Sequence, residues 1–357
     1  MPPVRSIPRT RNSTIRDVAK RAGVSVATVS RVLNDSGPVS DETRLRILLA
    51  SDELRFRPNG AARSLITSRT ATFGVLLPDL YGEFFSEVIR GIDQTAQRHQ
   101  YHVMLSSSHS DKDAIEAALR AMHGRVDGLI IMSPDIDAAA LEANFPASLP
   151  VVLLNCAVRG RTHDTINIDN VGGARAMTRH LLSLGHRRIA FIRGAERNHD
   201  ADERLKGYRA ALREASVVTQ PDLETPGDFT ESGGHAAVAA LLDRKPRPTA
   251  IFAANDSMAI GALSALRDAG VDVPGEMAVA GFDDIPIARY TNPPLSSVHV
   301  PINKLGEQAM EMLLDAVTHE NTHVRRRERM ATTLQVRQSC GSDLAGGGRR
   351  VARRAPR

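Results

Sequence analysis

The sequence predicts a small all-α helix-turn-helix unit joined by a hinge to an α/β core of two doubly wound parallel-sheet subdomains. Three observations carry that expectation. Residues 14–34, TIRDVAKRAGVSVATVSRVLN, hold two short apolar-striped helices around a tight glycine turn. From residue 72, short apolar runs alternate with helical stretches, the pattern of parallel strands covered on both faces. The runs fall into two successive series, so two sheets are expected, with a cleft between them.

In the first helix Ile15, Val18, Ala19 and Ala22 recur at i, i+3, i+4 and i+7, the stripe of an amphipathic helix. Thr14 is placed to cap it, with Asp17 three residues on as capping-box partner. Gly23 breaks the helix and Ser25 caps the next. There Val29, Val32 and Leu33 face inward, which leaves Ala27, Arg31 and Asn34 on an outward line. A third helix follows near 41–52, with Leu45, Leu48 and Leu49 expected to point inward. A helix pair of this geometry in a basic surround suits a helix laid in the DNA major groove. Residues 58–65 have latent helicity. Pro58 suits a first helical position and Ala61, Ala62, Arg63 and Leu65 favour helix, while Gly60 costs about 1 kcal/mol. Two turns are not stable alone in water, so this hinge should fold only when DNA or a second copy packs on it.

The formal net charge is +5 over 357 residues, and it is unevenly spread. Residues 1–69 hold 13 Lys/Arg against 6 Asp/Glu, and residues 340–357 hold 5 against 1. A basic head on an acidic body is the footprint of a nucleic-acid module joined to something else. Residues 1–12 read as a disordered basic arm and 340–357 as a disordered basic tail without a leucine heptad. Cys156 and Cys340 form no CxxC pair, so neither a zinc site nor a disulfide scaffold is indicated. No run approaches the roughly 20 apolar residues of a membrane span. The N-terminus lacks the apolar centre of a signal peptide, so a cytoplasmic protein with no membrane partner is expected.

Strands are expected at 73–77, 102–105, 128–132 and 151–154, then at 189–192, 250–253 and 277–281. Helices are expected at 84–99, 113–122, 172–184, 203–215, 232–243, 258–269 and 302–317. Ligands of open parallel sheets bind beyond the carboxyl ends of the strands. The residues just past these runs are Asp79, Ser106 with Ser107, Ser133, Asn155, Asn255 with Asp256, and Asp283 with Asp284. Tyr81, Phe84 and Phe85 follow the first strand, and Arg204 begins a helix in the second series. Aromatic faces cover C–H surfaces while carboxylates, amides and guanidinium bridge hydroxyls, so the set suits a polyhydroxylated ring. Each Asp, Asn or Ser here can equally cap the helix that follows it. No GxSxG, HExxH, GxxxxGK[ST] or GxGxxG stands in a strand–turn–helix context. No catalytic residue, metal or cofactor is therefore expected, and His199 with Asp200, Asp202 and Glu203 reads as a solvated loop and helix start.

With these residues assembled, the chain resembles the LacI/GalR family of bacterial transcription regulators over residues 14–338. TIRDVAKRAGVSVATVSRVLN resembles the family's helix-turn-helix and PNGAARSL its hinge helix. The segments FGVLLPDLYGEFFSEVIRGID, HLLSLGHRRIAFI, ERLKGYRAAL, AIFAANDSMAIGAL, VAGFDDIPIARYTNPPLSSV and LGEQAMEMLLD resemble its periplasmic-binding-protein-like core. The resemblance implies a DNA-binding domain at 13–57, a hinge helix and linker at 58–70, and an effector-binding and dimerisation core at 71–339. Within that core the N-terminal subdomain spans about 71–165 and 298–325, and the C-terminal subdomain about 166–297. Thr14, Ser25, Val26, Ala27, Thr28, Ser30, Arg31 and Asn34 are implied to meet DNA. Asn59, Ala62 and Arg63 fall in the hinge, and Leu65 is the implied minor-groove wedge. Asp79, Phe84, Phe85, Asn155, Arg204, Asn255 and Asp283 are implied to surround the effector, and Tyr81, Ser107 and Ser133 join them from their places beyond the strands. There are departures: many relatives have Asn-Pro where this chain has Gly82-Glu83, Gly60 is unusual in the hinge, and the tetramerising leucine tail is missing.

The function implied is a homodimeric, nucleoid-associated repressor that binds a pseudo-palindromic operator in double-stranded DNA and is released by a small sugar-like effector. The alternative is a regulator that needs a purine or nucleoside-type corepressor. A transporter's solute-binding protein would share the core but not residues 14–65, and a sugar-modifying enzyme would need the absent catalytic set. Val26 and Ala27 suit thymine methyls, whereas Arg31 can make a bidentate contact to guanine. Arg204→Ala and Asp283→Ala are expected to fold and bind operator but lose effector response.

Amide exchange tests the hinge. Residues 58–65 should be unprotected in the free protein and protected in the specific complex, and a protected hinge without DNA overturns the expectation. Leu65→Ala should weaken specific binding by roughly 1–3 kcal/mol and leave non-specific binding almost unchanged.

Overall fold

The computed structural model describes residues 13–34, 36–57, 69–109, 111–133, 143, 145–146, 148–156, 162–196 and 198–342. Asn59, Ala62, Arg63 and Leu65, with the rest of 58–68, lie outside these residues, as do 1–12 and 343–357. The chain divides into two compact units, Met1–Thr70 and Ala71–Arg357.

The first unit holds helices α1 (Ile15–Ala22), α2 (Val26–Leu33) and α3 (Asp41–Glu53). Thr14 and Asp17 form the expected capping box, Thr14 N donating to Asp17 Oδ2 at 2.8 Å. Gly23 ends α1 at φ 65°, and Val24 N then returns to the Ala19 carbonyl at 3.0 Å. A side chain at that dihedral would be strained, which is why glycine makes the turn. The core is Val18, Ala19, Ala22, Val29, Val32, Ile47 and Ala50. Helix α3 departs from expectation: Leu45, Leu48 and Leu49 are exposed by 59%, 49% and 62%. Two apolar stripes compete on this helix. Ile47 and Ala50 face the core because Leu54 and Phe56 continue their line past the helix end and also pack inward.

The second unit contains two six-stranded sheets. The first has β1 (Thr72–Leu77), β2 (His102–Ser107), β3 (Leu129–Ile131), β4 (Val151–Leu154) and β5 (Asp164–Ile168). The second has β6 (Ile189–Ile192), β7 (Glu224–Thr225), β8 (Ala250–Ala253), β9 (Ala278–Asp283) and β10 (Ser296–His299). Late in the chain, β11 (Arg327–Met330) joins the first sheet beside β5, and β12 (Thr333–Gln335) pairs antiparallel with β10 in the second. The orders are β11-β5-β4-β3-β1-β2 and β12-β10-β9-β8-β6-β7. Both place the first strand of their series between the second and third, which creates a switch point at β1/β3 and at β6/β8.

The intervening helices are α4 (Glu83–Arg98), α5 (Lys112–Met122), α6 (Asn170–Ser183), α7 (His199–Glu214), α8 (Glu231–Leu242), α9 (Asp256–Asp268) and α10 (Ile302–Thr318). The chain passes between the sheets three times, around Asp169, at Val300–Pro301 and at 331–332. Asp169 N donates to Met330 O at 3.0 Å, and Ile302 N folds back on Val300 O at 2.8 Å. Sheet membership thus changes at 168–170 and 299–302, and residues 326–340 contribute a strand to each sheet.

Helices α4 and α10 cross on glycines. A Cβ at Gly91 would lie 2.0 Å from Asn303 O, and one at Gly306 would lie 2.1 Å from Val88 O. Backbone atoms cannot move aside as a flexible side chain can, so overpacking is severe there. Gly91→Ala and Gly306→Ala should each cost about 1–3 kcal/mol or more. Denaturant melts with unchanged midpoints would show that the two helices can separate freely.

Candidate functional site

The carboxyl ends of strands from both sheets border a cavity of about 350 Å³. Eight of the expected residues line it: Asp79, Tyr81, Phe84, Phe85 and Asn155 from the first subdomain, and Arg204, Asn255 and Asp283 from the second. Ser107 and Ser133 do not. Strand β2 runs on to Ser107, whose hydroxyl lies 3.1 Å from His109 Nε2. Past β3, Met132 reaches the cavity while the next residue, Ser133, is completely buried. Sequence reasoning missed Glu83, His109, Asp200, Asp228 and Phe229, all of which contribute to the wall.

Arg204 organises the second-subdomain wall. Helix α7 starts earlier than expected, at His199, because Asn198 Oδ1 caps Ala201 N at 3.0 Å. Arg204 therefore sits in its second turn, and it is only 4% exposed. Its Nε donates to Asn170 Oδ1 at 2.8 Å and its Nη1 to Ala254 O at 2.6 Å. Nη2 lies 3.1 Å from Asp283 Oδ1, and the guanidinium stacks 3.9 Å above the Phe282 ring. Asp200 joins the network by accepting from Asn170 Nδ2 at 2.8 Å. Of the group read as a solvated helix start, Asp200 alone turns into the cavity.

The cap and wall roles coincide at Asn255, whose Oδ1 caps Met258 N while its Nδ2 holds Phe229 O, both at 3.0 Å. Asn155 Oδ1 accepts from Ile168 N at 3.0 Å, and its Nδ2 has no protein partner. Asp79 Oδ1 accepts from Leu80 N and Tyr81 N, which folds the aromatic loop. Asp256 is structural: it holds Ser297 Oγ and Ile285 N. Asp284 is structural too, between Arg337 and His299. Four wall residues have left-handed backbones: His109 at φ 46°, Asn155 at 49°, Phe229 at 69° and Asp283 at 105°. Such strain in non-glycine residues concentrates at ligand sites.

Burial pushes the Asp283 carboxyl up to about 6, against the opposing pull of Arg204. Burial also raises Asp200, and it holds Asp256 well above the usual carboxylate range.

On the first unit, Val26 is 41% exposed, and Ala27 and Arg31 are also exposed along α2. Thr28, Ser30 and Asn34 are half-buried. Ser25 Oγ caps Thr28 N at 3.1 Å, Asn34 Nδ2 donates to Ser30 Oγ at 3.2 Å, and Thr14 Oγ1 donates to Asp17 Oδ2 at 2.7 Å. Thr14 and Ser25 thus hold the helix ends, and Arg31 projects from the outward line as its long cationic side chain.

These contacts change the expected result for Arg204→Ala. Removing a buried cation leaves Asp283 and Asn170 without their donors, so the variant should lose about 3–5 kcal/mol and melt lower, besides losing ligand response. Asp283→Asn preserves shape and should keep the fold. Because the Asp283 carboxyl titrates near 6 when folded and near 3.8 ordinarily, the native state binds more protons between these values. Its contribution to stability is full below about pH 3.8 and is lost as pH rises through about 6. Thermal unfolding against pH should show this slope reduced in Asp283→Asn; an unchanged slope, or an Arg204→Ala protein that melts like its parent, overturns the assignment.

The chain matches the model of "Bacterial regulatory proteins, lacI family" over residues 14–59 and that of the "Periplasmic binding protein-like domain" over 178–340. It is 41% identical to the HTH-type transcriptional regulator GalS of Salmonella typhimurium, over 84% of this chain and 89% of that protein. Among solved structures it is similar to a transcriptional regulator CelR–cellobiose complex, with a TM-score of 0.70 and 34% identity over 92% of this chain and 99% of that one. It is also similar to the Lac repressor dimer bound to operator and the anti-inducer ONPF, with a TM-score of 0.84 and 30% identity over 92% and 99%. The helix-turn-helix and the two-sheet core thus recur together in regulators, and the chain belongs to the lacI family of bacterial regulatory proteins.

Proposed function

We propose that this protein is a dimeric transcriptional repressor whose grip on its operator is set by a small uncharged polyhydroxylated effector, a sugar, in the cleft between its two sheets. The observation that carries the effector class is the composition of the cavity wall. Asp79, Glu83, Asp200, Asp228 and Asp283 face it, against one guanidinium, Arg204, that is already paired. A wall rich in acceptors receives hydroxyl donors, while its excess negative charge repels phosphate and carboxylate. Phe84 and Phe85, edge to face at 5.4 Å, and Phe229 supply apolar faces for the C–H side of a ring.

On this reading α2 enters the major groove, with Val26, Ala27 and Arg31 at base edges, and the hinge residues Asn59, Ala62, Arg63 and Leu65 act in the minor groove. The subdomain limits follow the sheets, with the N-terminal lobe near 71–168 and 302–330. The protein works in the bacterial cytoplasm as a regulator and not as an enzyme. Relatives that are transcriptional regulators support this. Among the described residues no helix is long and apolar enough to cross a membrane, and no cluster of His, Cys, Asp or Glu could hold a metal.

Thermal-shift titration with ribose, D-galactose, cellobiose, glucose 6-phosphate and hypoxanthine tests the effector class. A neutral sugar should raise the melting temperature, since a ligand at a hundred times its Kd adds about 2.7 kcal/mol, and glucose 6-phosphate should not. Because ligand hydroxyls donate to ionised Asp283, the affinity should fall as pH drops below about 6. Stabilisation by hypoxanthine alone would instead favour the corepressor alternative.

A further inference from the structure

We propose that Glu83 is a latch across the mouth of the cleft, holding the two subdomains closed before any effector arrives. Glu83 belongs to the first subdomain, at the start of α4, and its Oε2 accepts from Ile287 N of the second subdomain at 2.8 Å. Among the described residues no other side-chain hydrogen bond joins the subdomains away from the three connecting segments.

The local backbone explains why this bond forms. Gly82 precedes α4 at φ 94° and ψ 156°, a conformation open to glycine, and offers no side chain to cap the helix. Glu83 would ordinarily satisfy the first turn of its own helix. Its carboxylate reaches instead to the short turn Pro286–Tyr290. In that turn Pro286 has no N–H, Ile285 N is held by Asp256 Oδ2 at 2.9 Å, and Ala288 N by Ile285 O at 2.9 Å. Ile287 N is the amide left over, and the acceptor that meets it comes from the opposite subdomain.

The geometry also bounds the strength. Glu83 is half-buried and Ile287 is 42% exposed, so water can replace either partner when the bond breaks. Glu83 therefore biases the closed state rather than locking it. The latch bears on regulation of the cleft assigned above, yet it acts in the empty protein and can be read without an effector.

The test is a distance across the cleft in ligand-free, full-length protein. Lys112 and Glu196 are exposed and lie just past β2 and β6, one at each sheet's carboxyl edge. Both would be replaced by cysteine and spin-labelled; the native Cys156 and Cys340 are buried. The parent should give mainly a short distance in pulsed EPR, with a minor long one. Glu83→Ala should raise the ratio of long to short distances about three- to tenfold, the effect of one partly solvated hydrogen bond on a two-state equilibrium. Glu83→Asp is too short to span the gap and should match Glu83→Ala, while Glu83→Gln keeps a neutral acceptor and should fall between. Identical distributions in parent, Ala and Asp overturn the latch, and so does a Gln variant as open as Ala. Melting temperatures identify any variant that merely misfolds, and the remaining two still decide. A failed sugar titration would leave this result standing, since no ligand enters it.

Discussion

The buried guanidinium of Arg204 constrains more of this molecule than any other single group. A cation that is 4% exposed persists only if its donors are matched, because an unpaired buried charge is expensive. Matching them fixes Asn170 at the start of α6, the Ala254 carbonyl after β8 and Asp283 at the end of β9, with Phe282 beneath the plane. These four points come from three elements, the start of α6 and the carboxyl ends of β8 and β9. This wall is consequently preorganised. The facing wall is built differently, from a short loop tied by Asp79, in which Tyr81 is 73% exposed, and from the first turn of α4, Glu83–Phe85.

Most of the architecture was legible in the sequence because burial on both faces leaves an unmistakable record. Strands such as Ala250–Ala253 and Val151–Leu154 are continuous apolar runs, fully buried along their length, and their limits were readable to the residue. The overlooked strands lack that record. Asp164–Ile168 begins on a carboxylate that His323 and Arg326 N satisfy, and Arg327–Met330 is an edge strand of charged residues. Edge strands repel other strands with charge, so their composition imitates a loop. Helix α3 failed for a different reason: two apolar stripes occupy one helix, and periodicity alone cannot say which faces inward.

The cleft was partly legible on the same terms. Three correctly placed strand ends led to Asp79, Asn155 and Asn255, whereas past β6, also correctly placed, Asn198 went unnamed. Ser133 failed by one position of side-chain alternation, and Ser107 because β2 continues past the expected end. Asp200 was hidden by its neighbours His199, Asp202 and Glu203, which make a charged run that reads as solvated surface. Nothing in the sequence distinguishes the one carboxylate that turns inward until Asn198 sets the phase of α7. Glu83 was noticed only as a departure from a resemblance, since a hydrogen bond to a main-chain amide 204 residues away leaves no local pattern.

The division into one wall tied by Arg204 and one built from a short loop and the first turn of α4 bears on how the proposed switch would act. A ligand shifts an equilibrium only by the difference between its affinities for the two states. Moving a population from 1:99 to 99:1 requires about 5.5 kcal/mol of that difference. Arg204, Asn255 and Asp283 are held by ties within the second subdomain alone, so on the proposed reading their contacts to an effector would supply affinity with little bias. Bias must come from groups that meet the ligand in only one state, and on that reading these would be Tyr81, the first turn of α4 and Asn155 across the cavity. One hydrogen bond to a charged group, at about 1.5–3 kcal/mol, and one or two to neutral groups, at about 0.5–1.5 kcal/mol each, would supply a large part of that difference. Strand β1 starts at Thr72, two residues after 58–70, so on the proposed reading a displacement of the first sheet would act on that segment through the covalent chain. The lobe that would supply the bias is thus the one that follows residues 58–70 directly in the chain.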